Sequence, residues 1–437
     1  MRWNSAIELC RDLQRGDISA VALMQETYRR IEAINPQVNA LVNLLERNDA
    51  LALAEAADQV PIAQRGPMHG LPWAAKDAVE VQGFATTWGF VPWRDNYADA
   101  DDAQAERLRQ AGVIFIGRTN MPEFGLGSHT FNALFGATLN PYDLDKTPGG
   151  SSGGAAVALA TQMLPLADGS DMGGSLRNPA SFCNVVGFRP SIGRTPNSRG
   201  FAWFARLATT GPMARTVADA TLLFSIQAGP DRTDPLTLPE PGEYFCDAYT
   251  PLDELRGLRI ACSPTMNGLP VDREVSSIVE KAGQSCAELG ADVVATCPDL
   301  SDAMEVFQVQ RAAGLATLGT TLDRTMPDWK AHAKDTAIWN IERGQALTAA
   351  ELLDSELKRA RLYARVAAFF DEYDALLLPA AQVPPFATTT DWVREINGTP
   401  MPTYIDWMTV CCAITATGLP AISVPAGFTS SGLPVGV

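Results

Sequence analysis

Two serine clusters set among glycines constrain this chain more than any other feature of its sequence. The first is Gly149-Gly150-Ser151-Ser152-Gly153-Gly154, and the second is Gly169-Ser170-Asp171-Met172-Gly173-Gly174-Ser175-Leu176-Arg177. Glycine reaches φ/ψ values closed to other residues, so backbone here can turn tightly and point N–H groups inward. Such backbone can hold a nucleophilic hydroxyl and stabilise an oxyanion beside it. The pattern points to acyl-transfer chemistry.

The surrounding sequence reads as an α/β protein. Ser5 is placed to cap a helix running to about Arg15. Ser19 is placed to cap a second, whose Val21, Met24, Tyr28 and Ile31 recur at helical spacing until Asn35-Pro36. A helix from about Asp102 to Gln110 leads through Gly112 into the apolar run Val113-Ile114-Phe115-Ile116, which predicts a buried strand. The same alternation returns in Leu258-Arg259-Ile260-Ala261, then a helix with Val275, Ile278, Val279, Ala282, Cys286 and Leu289 on one face, then Asp292-Val293-Val294-Ala295. Strand-like runs at 374–378 and 421–424 are each ended by proline, residues 301–372 read as helical, and the Pro-rich stretch 230–251 reads as a surface connection. No repeat or linker divides the 437 residues. We expect one domain with N-terminal helices (about 5–35), a motif-bearing core (about 70–230), a helical covering region (about 301–372) and C-terminal strands (about 374–437).

Composition narrows the functional classes. With 46% hydrophobic and 19% charged residues, this is the profile of a well-packed globular chain. A net charge of −16 disfavours a nucleic-acid surface and docking on anionic lipid. The eight cysteines form no C-x-x-C pair and match no zinc or disulfide framework. Neither a metal nor a cofactor is expected. Cys183, close to the second cluster, reads as packing or as part of a site. Residues 1–5 lack the apolar core of a signal peptide and no 18-residue apolar run occurs, so the expected location is cytoplasmic.

A serine nucleophile needs a base. There are three histidines, His69, His129 and His332; His69 and His129 are flanked by loop-like sequence and read first as surface or structural. Gly70-Leu71-Pro72-Trp73-Ala74-Ala75-Lys76-Asp77 instead places a lysine straight after a short apolar run. A desolvated lysine has a lowered pKa and can accept a proton when neutral. Alone, such a lysine would usually be a solvated charge.

Together these segments resemble the amidase signature family. The defining stretch is matched from Thr147-Pro148-Gly149-Gly150-Ser151-Ser152-Gly153-Gly154-Ala155 through the second serine cluster to Val186-Gly187-Phe188-Arg189-Pro190. The Gly70–Asp77 segment matches the family's lysine motif, and Gly211-Pro212-Met213-Ala214-Arg215 and Gly418-Leu419-Pro420-Ala421 also look like family segments. The resemblance implies a single large domain with a mixed central β-sheet covered by α-helices. It implies a Ser-cisSer-Lys triad, with Ser175 as nucleophile, Lys76 as base, and Ser151 bridging them through a cis Gly150–Ser151 peptide. Backbone N–H groups of Met172, Gly173, Gly174 and Ser175 would form the oxyanion hole. Ser152 would hydrogen-bond Lys76, and pairing of Asp171 with Arg177 would fix the turn, unless that pair is an ordinary buried ion pair. The implied reaction is hydrolysis of a small-molecule amide, carbamate or ester by a monomer or homo-oligomer. The alternatives are the glutaminase subunit of a tRNA-dependent amidotransferase and a non-catalytic ligand-binding member.

Two departures stand out. Family members commonly carry Thr at the position of Met172, and they usually continue with a further strand and helix past the counterpart of Val437. Between the core and Gly211, Phe201, Trp203 and Phe204 put three aromatics within four residues of a Gly-containing loop. They read either as local core or as a wall of the substrate entrance. A phosphate-binding loop at 149–154 is disfavoured because its G-K-[ST] ending is missing.

Overall fold

A computed structural model describes residues 5–197 and 206–437. The two N-terminal helices start at their expected caps. Ser5 accepts the Glu8 amide ahead of Ala6–Arg15, and Ser19 accepts the Ala22 amide ahead of Ala20–Val38. Asp58 adds its carboxylate to the second helix by accepting from Ala20 and Val21, a negative charge at the positive end of the dipole. That helix continues past Pro36 instead of stopping there. Proline withholds one N–H, but Asn35 secures the exit: its Oδ1 accepts from Ala40 and Leu41 and its carbonyl from Asn39. Asn39, at φ 49°, then turns the chain away.

The strands form three main ladders. In the first, Ile114–Thr119 lies between Leu41–Val42 (antiparallel) and Pro72–Lys76 (parallel). The second runs Ala421–Ser423, Val186–Arg189, Thr209–Ala214, Ala167–Asp171, with every neighbour antiparallel. The third is parallel throughout, with Arg259–Cys262 between Asp292–Val294 and Ala375–Leu377. Between the first two, a side chain replaces the backbone ladder. Asp168 accepts the Lys76 amide at 3.1 Å and the Trp73 indole N–H at 3.0 Å. The outcome is the single-domain α/β architecture expected, with mixed strands and covering helices.

The first serine cluster opens the helix Gly153–Ala160, which is buried from Gly153 to Leu159. Its N-terminus sits so close to neighbouring backbone that a Cβ on Gly154 would lie 2.4 Å from Asn120 N and 2.6 Å from Ala40 O. At the other end, Arg215 Nη1 donates to the carbonyls of Leu159 and Leu164. One predicted helix face needs correcting. The helix Arg273–Glu288 buries Val275, Ile278, Val279 and Gly283, while Leu289 lies past its end and is 48% exposed. Gly283 takes the inner position because a Cβ there would meet Cys262 Sγ at 2.9 Å.

Helices Ala303–Thr325, Asp335–Gln345 and Ala349–Phe369 fill the long strand-free region. Val306, Phe307, Leu362 and Val366 share a core with Trp407, Val410 and Ala413. Through Phe307 this layer reaches the second serine cluster: a Cβ on Gly173 would lie 3.0 Å from Phe307 Cζ. Among the described residues, no helix is long and apolar enough to cross a membrane.

Gly154→Val should destabilise the protein by at least ~1–3 kcal/mol, because the new side chain has only backbone to displace. A thermal melt within a degree of wild type would contradict this close approach.

Candidate active site

Lys76 ends the strand Pro72–Lys76 and is 1% exposed. Its Nζ donates to Ser151 Oγ at 2.8 Å, Ser152 Oγ at 2.9 Å and Ser170 Oγ at 3.0 Å, with the Ser170 carbonyl at 3.4 Å. Burial pushes its pKa down from 10.5 to about 7, against the opposing pull of Asp168 and Asp171. Burial in turn raises the Asp168 carboxyl, which accepts N–H groups from Trp73 and Lys76.

The Gly150–Ser151 peptide is cis. Ser128 Oγ holds it from both sides, donating to Gly150 O at 2.7 Å and accepting from Gly150 N at 3.2 Å. Asn178 Nδ2 donates to the same hydroxyl, and Thr130 Oγ1 donates to the Gly149 carbonyl. Ser151 is thereby fixed with its Oγ on Lys76.

The second cluster is shaped by Asp171. This fully buried carboxylate accepts from Gly174 N at 2.8 Å, Leu176 N at 3.2 Å, and Arg177 Nε and Nη2 at 2.9 Å each. Arg189 stands 3.6 Å from it and also donates to the Asp171 carbonyl. The two guanidinium groups outweigh burial and hold the Asp171 carboxyl far below the ordinary carboxylate range, while burial lowers Arg189 to about 10. Gly174 must be glycine: its φ is +109°, and a Cβ would lie 2.7 Å from Asn178 Nδ2 and 2.8 Å from Cys411 Cβ.

The expected residues are therefore neighbours, with two differences. Gly174 N–H faces Asp171, so it is not free to bind an oxyanion. The amides of Met172, Gly173 and Ser175 have no acceptor among the described residues. In addition, Ser175 is partly exposed and its hydroxyl makes no hydrogen bond among the described residues. The Ser152 amide donates to the Ser175 carbonyl at 3.2 Å, which puts the two turns side by side. The Ser151–Ser175 hydroxyl contact itself is not formed. Met172 packs against the core around Phe182 and Phe307. Phe201, Trp203 and Phe204 lie outside the described residues.

Sequence reasoning overlooked Asp168, Ser170 and Ser128. Asp168 and Ser170 occupy alternate positions of the strand Ala167–Asp171 and so share one face, where both meet the Lys76 strand. Two polar residues at that spacing in a buried strand were a readable signal. Ser128 had none, since its contact depends on a loop folding across 22 residues. His69 and His129 are structural: His129 links Thr147 and Thr388 O, and His69 meets Ala57 O. Cys183 is fully buried with Sγ on Pro148 O at 3.6 Å, and burial raises its thiol pKa, so packing is its role. Among the described residues, no group of His, Cys, Asp and Glu could hold a metal ion.

Comparison with known proteins gives the family. The Amidase family model matches residues 22–437. An acylamidase of Rhodococcus erythropolis is 33% identical, with all of this chain and 91% of the relative covered. A glutamyl-tRNA(Gln) amidotransferase subunit of Thermus thermophilus is 34% identical over 99% of this chain and 92% of its own length. The crystal structure of a bacterial aryl acylamidase of the amidase signature family superposes with a TM-score of 0.89 at 29% identity, covering 99% of this chain and 91% of the other. The chain belongs to the amidase signature family, and it is a hydrolase of carbon–nitrogen bonds other than peptide bonds.

The lowered Lys76 pKa has a consequence for stability. Between about pH 7 and 10.5 the unfolded chain holds a proton on Lys76 that the folded chain has released. Stability contributed by this group therefore rises with pH across that window. The melting temperature of wild type minus that of Lys76→Met should climb between pH 7 and 10. A difference independent of pH would mean that Lys76 is buried as an ammonium.

Proposed function

We propose that the protein hydrolyses small-molecule amides through an acyl-enzyme on Ser175, with Lys76 as base and Ser151 as proton relay. The observation that carries this reading is the buried Lys76 amine, surrounded by hydroxyls and lowered to about 7. A neutral amine accepts the Ser151 proton, Ser151 accepts that of Ser175, and the alkoxide attacks the substrate carbonyl. The Ser175 hydroxyl, having no fixed partner, closes the relay when it turns to Ser151. Catalytic hydrogen bonds often tighten only once substrate is bound. The amides of Met172, Gly173 and Ser175 receive the oxyanion, a donor type whose loss typically costs ~3–4 kcal/mol of barrier. Reversing the relay protonates the leaving amine, and water then releases the acyl group. The same chemistry extends to carbamates and esters.

An aryl group on the substrate is supported by the similarity to a bacterial aryl acylamidase and, from sequence alone, by the aromatic run Phe201, Trp203 and Phe204, which we propose as apolar contacts for it. Each fully buried aromatic would contribute ~1.5–3 kcal/mol. A second reading, the glutaminase subunit of a tRNA-dependent amidotransferase, is favoured by the several amidotransferase relatives at 31–34% identity. Strict dependence on glutamine and co-purification of a second subunit would select it. Turnover of simple anilides by the isolated chain selects the stand-alone hydrolase.

Ser175→Ala should abolish hydrolysis of 4-nitroacetanilide while leaving the melting temperature close to wild type. A fluorophosphonate should add its mass at Ser175. Lys76→Ala should lower kcat/KM by about 10³-fold or more. The wild-type profile should rise with pH with its half-point at about 7. An adduct on another residue, or near-normal activity in Lys76→Ala, would refute the assignment.

Alanine at Phe201, Trp203 and Phe204 together should raise KM for anilides far more than for aliphatic amides. Equal changes for both substrates, with a lowered melting temperature, would make the three aromatics part of the core.

A further inference from the structure

Five arginines are buried among the described residues, and four of them have a carboxylate. Arg177 and Arg189 share Asp171, Arg118 has Asp77, and Arg206 has Asp234. Arg311 is the exception. It lies on the helix Ala303–Thr325, is 6% exposed, and is held only by uncharged groups. Nη1 donates to Asn340 Oδ1, Nη2 donates to the Tyr404 hydroxyl, and the guanidinium lies 5.3 Å from the Tyr404 ring centroid. Its Nε has no acceptor among the described residues. Buried charges are normally paired, because desolvating one alone costs several kcal/mol.

Its helix connects this cation to the turn of Ser175. Phe307, one helical turn earlier on the same face, meets Gly173 in the turn that carries Ser175. Cys412, whose Sγ is 3.8 Å from Gly173 O, is close enough for the Arg311 charge to act on its thiol. The same charge acts on the Lys334 amine, whose Nζ donates to Leu126 O at 2.6 Å. Leu126 follows Gly125, where a Cβ would lie 3.5 Å from Ser151 Oγ. Arg311 thus lies on the same helix face as Phe307, one turn beyond the residue that meets the turn of Ser175. The nearby Glu123 is engaged elsewhere, accepting the Lys334 amide.

We propose that Arg311 binds a carboxylate carried by the substrate, so that the preferred substrates are amides of acidic compounds. The inference rests on the reading of Ser175 as the nucleophile. A guanidinium offers parallel N–H groups that match a carboxylate, and Asn340 and Tyr404 fix its plane in advance. The chain's net charge of −16 repels anions at long range, so a preference for an acidic substrate would have to arise from a local cation.

The test measures binding apart from turnover. Calorimetry on Ser175→Ala compares N-succinyl-4-nitroanilide with N-butyryl-4-nitroanilide, and 4-acetamidobenzoate with 4-methylacetanilide. The first pair places the carboxylate on the acyl side and the second on the leaving group. In one pair the acid should bind about 10-fold tighter or more. Adding Arg311→Gln should erase that ratio with little effect on the neutral partner, and Arg311→Lys should keep part of it. Equal affinities in both pairs, or a ratio that survives Arg311→Gln, would overturn the proposal. If the glutamine variant does not fold, the ratios in Ser175→Ala and the lysine variant decide alone. Wild-type turnover separates the two levels. Anilides hydrolysed with no preference for the acid would sink the Arg311 assignment only. Selective binding of the acid without hydrolysis of either pair would sink the Ser175 reading and leave the carboxylate subsite standing.

Discussion

Burying the Lys76 amine at the end of a strand obliges the fold to supply acceptors for it where water cannot reach. Ser151, Ser152 and Ser170 do so from three different backbone positions, which ties the first serine cluster to the strand Ala167–Asp171. That convergence requires close backbone approach. A Cβ on Gly169 would meet Ser152 Oγ at 2.8 Å, and one on Gly154 would meet the Asn120 amide at 2.4 Å. The glycines therefore serve packing as much as turning. The same exclusion of water makes the neutral amine favourable, since nothing else nearby would solvate an ammonium as well.

A second electrostatic unit lies beneath the Ser175 turn. Two buried guanidinium groups, of Arg177 and Arg189, face the one carboxylate of Asp171. The carboxylate shapes the turn by taking the Gly174 and Leu176 amides, and the surplus positive charge lies under the backbone that would receive an oxyanion. Arg177 also donates to Thr415 Oγ1, anchoring the turn to the helix Thr409–Thr417 far along the chain. Chemistry and stability are joined here, because breaking a buried pair of this kind typically costs ~3–5 kcal/mol.

Much of this centre was legible in the sequence, for identifiable reasons. Lys76, Ser151 and Ser175 sit in short motifs whose local backbone demands are visible as glycines and whose order matches a family. The helix starts at Ser5, Ser19 and Asp102 were readable because capping is local. What could not be read depends on tertiary placement. Only the folded turn reveals that Gly174 N–H belongs to Asp171, and only long-range packing brings Ser128 across the Gly150 peptide. The helix through Pro36 persists because Asn35 and Asn39 secure its exit, which no proline rule anticipates. Leu289 looked like a core residue by spacing, yet the helix ends one residue before it.

The central claim is that Lys76 gives up its proton near neutral pH, far below an ordinary lysine, and NMR tests it without reference to any substrate. The chain has only six lysines, so ¹³C-labelled lysine side chains give a spectrum in which Lys76 is assigned by its absence in Lys76→Met. A pH titration of its ε-carbon should turn over at about 7. A midpoint near the ordinary lysine value of 10.5 would contradict the account.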